Sequence, residues 1–151
     1  MVDGISFDSI SEVEASWLER DFEEEEVKKV VSKMNGNKAL GPDGFSMAFF
    51  QTYWDVVRED NMKVFIAFQA EGMFEKSLNA TFISLISKAL GAINLKDFRP
   101  ISLVGGIYKI IAKVLANKLK VVLDKIISKS QNAFIKGWQI LDPILISNEC
   151  L

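Results

Sequence analysis

Between Ile107 and Ile126, apolar side chains recur at positions 107, 110, 111, 114, 115, 119, 122, 123 and 126. This i, i+3, i+4, i+7 spacing gathers into one stripe only on a helix of 3.6 residues per turn. It predicts an amphipathic helix over about 106–126, started by the break at Gly105-Gly106. An apolar side of that length has to be covered, so the chain is a packed domain or a piece of one. Lys109, Lys113 and Lys120 fall off the stripe, near one another.

The texture ahead of this helix is different. Residues 80–88, Ala-Thr-Phe-Ile-Ser-Leu-Ile-Ser-Lys, are β-branched and partly alternating, which is a strand pattern. A loop over 89–97 leads to a second extended segment, Phe98 to Leu103, in which Pro100 cannot donate to a ladder and so belongs at a strand start or an edge. Together they predict a β-hairpin over about 80–103 with a long tip.

Further back the pattern is helical. A helix is predicted over 22–35, with Asp21 as N-cap, Glu24 as its capping-box partner and Gly36 as the stop. Gly41-Pro42-Asp43-Gly44 is a turn signal, Ser46 caps a helix carrying Phe49, Phe50, Tyr53, Trp54 and Val57, and a further helical run ends near Gly72. At helical spacing the aromatic stripe is read as core rather than as a platform for stacking bases. Residues 1–20 are acidic and lack a sustained period, and are expected to form a flexible arm. A last helix is expected from about Ile140. The fold class is therefore α+β, mostly helical with one β-hairpin.

Composition narrows the chemistry. The chain has no histidine and a single cysteine, Cys150, which removes Ser-His-Asp and Cys-His catalysis, histidine-ligated metals and an intrachain disulfide. No run approaches the roughly 20 apolar residues of a spanning helix, and the first residues lack the form of a secretory signal. Charge is split along the chain: residues 1–75 carry 16 acids and 7 bases, residues 76–151 carry 4 acids and 11 bases. Such a split fits a second half that meets an anion, nucleic acid first among candidates, and fits equally halves that face each other or lysines that only solvate helices.

Two cations stand out by position. Lys88 ends the first strand and Arg99 opens the second, so the hairpin brings them together. A lysine point charge beside a planar guanidinium makes an anion clamp suited to phosphates. The plain alternative is two exposed charges flanking a loop. No Walker-type glycine loop and no Asp-Asp pair is present.

Five segments in order carry a family resemblance: Asn37 to Phe45, Phe82 to Lys88, Lys96 to Leu103, Tyr108 to Leu119, and Ser130 to Asp142. This series resembles the N-terminal part of the reverse transcriptase domain of LINE-type, non-LTR retrotransposons, especially those of plants, over residues of about 20–151. The resemblance implies a truncated right-hand polymerase, fingers plus the entrance to the palm, in a partial domain over 21–151. It implies that Lys88 and Arg99 contact the triphosphate of a dNTP, and that Lys109, Lys113 and Lys120 lie toward an RNA template and DNA primer. It also implies a nuclear location, through the way such elements integrate. The family's magnesium is held by carboxylates of later motifs, which Asp97 and Asp142 do not replace, so no cofactor is expected in this chain and magnesium only in the complete domain. Ser87 and Leu40 stand where the family commonly has proline, and Trp138 where it commonly has arginine. The chain alone is expected to be inactive as a polymerase. The alternative is a non-enzymatic interaction fragment, self-associating through the apolar helix face, or a relic reading frame.

Overall fold

A computed structural model describes residues 9–127. Its elements are helices α1 (Glu12–Glu19), α2 (Glu24–Lys33), α3 (Met47–Thr52) and α4 (Trp54–Glu71), strands β1 (Thr81–Ser87) and β2 (Phe98–Val104), and helix α5 (Gly106–Ile126), with a short 3-10 turn over Leu95–Asp97 in the hairpin tip. The architecture is α+β, as the spacing predicts. The expected last helix from Ile140 and the segment Ser130 to Asp142 lie outside the described residues. None of the described helices is long and apolar enough to cross a membrane.

The chain divides into two compact units, Asp21–Leu115 and a second that takes in Met1–Arg20 and Ala116–Leu151. In the first, Val27, Val30 and Val31 of α2, Met47 and Phe50 of α3, Trp54 and Phe65 of α4, and Ile107, Ile110, Ile111 and Val114 of α5 form one buried cluster. Phe22 meets Phe65 edge-on with ring centres 5.0 Å apart, the geometry favoured by opposed ring quadrupoles. The aromatic stripe is thus core at Phe50 and Trp54, while Tyr53 is exposed.

Local signals place most boundaries. The Ser46 hydroxyl accepts the Phe49 N–H at 3.2 Å and starts α3. Gly72, at φ 66°, closes α4 in the left-handed conformation that glycine adopts without strain. The expected stripe on α5 is buried at Ile107, Ile110, Ile111, Val114 and Val122, but Leu115, Leu119 and Ile126 are exposed.

Two boundaries differ from the sequence reading. α2 begins at Glu24 with Glu23 as N-cap, and it ends at Met34 rather than at Gly36. Asp21 does not cap it; its carboxylate instead accepts a bond from the Gln69 amide at 3.0 Å. The end of α2 is held from outside, since the Gln51 amide donates to the Val31 and Met34 carbonyls at 2.9 and 2.7 Å.

In the second unit, residues 12–19 of the expected arm are helical. Ser11 and Glu14 form a complete capping box at the start of α1. Lys125 donates to the Glu14 carboxylate, and buried Lys118 places its ammonium 2.8 Å from the Arg20 carbonyl.

Candidate functional site

The hairpin is a two-stranded antiparallel ladder in which Ile86 faces Arg99 and Ser87 faces Phe98. The register continues one step further, because the Lys88 N–H donates to the Asp97 carbonyl at 2.8 Å. Lys88 is therefore the diagonal neighbour of Arg99, a placement about 7–8 Å apart on one face of a sheet. Both residues are exposed.

The tip between them folds on itself. The Asp97 carboxylate accepts the Asn94 N–H at 3.1 Å, the Asp97 N–H returns to the Asn94 carbonyl at 2.8 Å, and Gly91 supplies a φ of 80°. The Lys88 ammonium donates to the Lys96 carbonyl at 2.6 Å. An ammonium has three donors, so this bond fixes the charge at the strand end and leaves capacity for an anion. Arg99 makes no hydrogen bond or ion pair among the described residues, and its five-donor fork is open to solvent.

The lysines of α5 are less alike than the sequence implies. Lys113 and Lys120 are exposed and make no hydrogen bond or ion pair among the described residues. Lys109 instead donates to the Ala39 carbonyl at 2.9 Å. It ties the loop ahead of the Gly-Pro-Asp-Gly turn to α5, so its ammonium already has a structural partner.

That turn is the feature sequence reasoning undervalued. The Gly44 N–H closes it onto the Gly41 carbonyl at 3.1 Å, and the Asp43 carboxylate accepts the Gly106 N–H at the first residue of α5. Gly41 lies so close to the end of β2 that an added Cβ would sit 2.3 Å from the Val104 carbonyl oxygen, and a Cβ on Gly106 would sit 2.3 Å from the Phe50 ring. The two glycine turns thus dock on each other, and this docking sets the angle at which the hairpin leaves α5. A signal was available: α5 opens on Val104-Gly105-Gly106 with no capping side chain of its own, so its first N–H groups require an acceptor from elsewhere.

No protein-family model matches the chain. Over 142 residues, 94% of its length, it is 30% identical to the "Transposon TX1 uncharacterized 149 kDa protein" of Xenopus laevis. The chain spans about a tenth of that protein, 11% of its length. The sequence is thus similar to part of a transposon protein.

Proposed function

We propose that this chain is a piece of the RNA-directed DNA polymerase of a LINE-type retrotransposon, carrying its nucleotide-triphosphate and template contacts. The observation that carries this reading is the placement of Lys88 and Arg99 on diagonal ladder positions at one end of the hairpin. One is held by a backbone carbonyl, the other is open, and the pair presents a point charge and a planar fork to the same volume. That combination suits the oxygens of a triphosphate. The similarity to a transposon protein across nearly the whole chain supports the same reading.

In this proposal the chain's own residues bind and orient, and no catalytic residue is assigned among them. Lys88 and Arg99 neutralise and position the triphosphate. Lys113 and Lys120 add sequence-independent phosphate contacts to an RNA–DNA hybrid, with Lys109 contributing field more than contact. In the complete domain magnesium would supply the chemistry of transfer.

The test is binding of an RNA–DNA hybrid by the full chain across a salt series. The reading expects affinity that falls steeply with salt and little preference for sequence. Salt-insensitive binding, or none at low salt, overturns it.

A further inference from the structure

The hairpin's two outer edges are not equivalent. The Lys88–Asp97 bond makes 88–97 a hydrogen-bonded pair. Alternation along an antiparallel ladder then makes 86–99, 84–101 and 82–103 hydrogen-bonded, and turns the backbone groups of 81–104, 83–102, 85–100 and 87–98 outward. On β2 the outward set is Phe98, Pro100, Ser102 and Val104. Pro100 has no N–H to offer, and Gly41 is packed against the Val104 carbonyl, so this edge is broken in the middle and covered at its end. On β1 the outward set is Thr81, Ile83, Leu85 and Ser87. All four keep both backbone groups, and among the described residues no strand pairs with them.

The side chains of β1 are also uncovered: Phe82, Ile83, Leu85 and Ile86 are 58%, 67%, 48% and 53% exposed. From Ser77 to Ser87 there is no charged residue, so the usual protection of an edge strand is missing on this side alone.

We infer that β1 pairs with β1 of a second copy of this chain, antiparallel about a twofold axis through Ser84, to give a four-stranded sheet with the Pro100-bearing strands outermost. The strand is complementary to itself in this register. Thr81 lies opposite Ser87, and Ile83 opposite Leu85, so outward backbone groups meet outward groups in both directions. Phe82 meets Ile86 of the other copy, an aromatic–β-branched pair of the kind that stabilises sheets. Ser84 meets its own symmetry mate, and the nearest flanking charge, Lys88, falls opposite Ala80 rather than another cation. This inference stands on the ladder alone and does not rest on the proposed polymerase origin.

The experiment is sedimentation equilibrium of the full chain and of Ser84→Lys and Ser84→Glu, alone and mixed. The wild-type chain dimerises. Each variant alone dimerises at least about tenfold more weakly, because like charges meet on the axis, and the equimolar mixture recovers association as a heterodimer. Recovery on mixing also shows that both variants are folded. A monomeric wild type, a dimer indifferent to Ser84 substitution, larger assemblies insensitive to it, or a mixture that fails to associate each overturns the inference.

Discussion

The Asp43 carboxylate accepts a hydrogen bond from the backbone N–H of Gly106, 63 residues further along the chain. A turn residue thereby caps the helix that supplies Ile107, Ile110, Ile111 and Val114 to the core. Replacing Asp43 by alanine removes the acceptor and should lower unfolding stability by about 1 kcal/mol, as for other lost caps. Asp43→Asn keeps an oxygen in place and should lose less. Urea denaturation of the three proteins checks both.

Gly41 and Gly44 belong to the same turn but are glycine for different reasons. A Cβ on Gly41 meets backbone atoms of Val104 and Gly105 at 2.3–2.5 Å, which cannot swing aside. Gly41→Ala should therefore cost at least about 3 kcal/mol, the upper end for overpacking. Gly44, at φ 72°, has open space around it, so Gly44→Ala should cost only the left-handed strain of about 1–2 kcal/mol. Equal losses in denaturant would contradict this account.

Lys109 and Lys113 are one helical turn apart and should separate cleanly. Lys113→Ala should leave stability unchanged and reduce the salt dependence of hybrid binding by about one phosphate contact. Lys109→Ala releases the Ala39 carbonyl and should destabilise the chain by about 1 kcal/mol with a smaller effect on the salt slope. Paired denaturation and salt titrations distinguish the two roles.

Hydrogen bonding from Lys125, then from the Ser11 backbone and hydroxyl, lowers the Glu14 carboxyl from 4.5 to about 2. A depressed carboxylate stabilises the fold while it is ionised. Its contribution is thus complete above about pH 4.5 and lost as pH falls toward 2. The stability difference between the wild-type chain and Glu14→Gln should be constant from neutral pH to about pH 5 and close to nothing near pH 2, measured by urea denaturation.

Much of this fold was legible because its signals are local. The α5 stripe, the Ser46 cap, the Gly72 stop and the alternation of β1 each depend on neighbours within a few residues, and each appears where the spacing puts it. α1 was legible too, in Ser11-Glu12-Val13-Glu14, but its single turn of pattern was too short to register as a period. The misplaced ends of α2 have a different cause. Asp21 is taken by Gln69 and the helix end is held by Gln51, contacts that no local window contains. The candidate site divides the same way. Lys88 and Arg99 follow from the hairpin register, whereas the engagement of Lys109 with Ala39 and of Asp43 with Gly106 depends on how distant loops dock.

The most direct test of the central proposal is a titration of nucleoside triphosphate into the full chain, Lys88→Ala, Arg99→Ala and the double variant, with the monophosphate as control. The proposal predicts that the triphosphate binds more tightly than the monophosphate. Each single substitution should weaken it by about tenfold or more, as for lost bonds to a charged group. The double variant should bind no better than the monophosphate baseline. Equal binding by all four proteins, or no preference for the triphosphate, would contradict it.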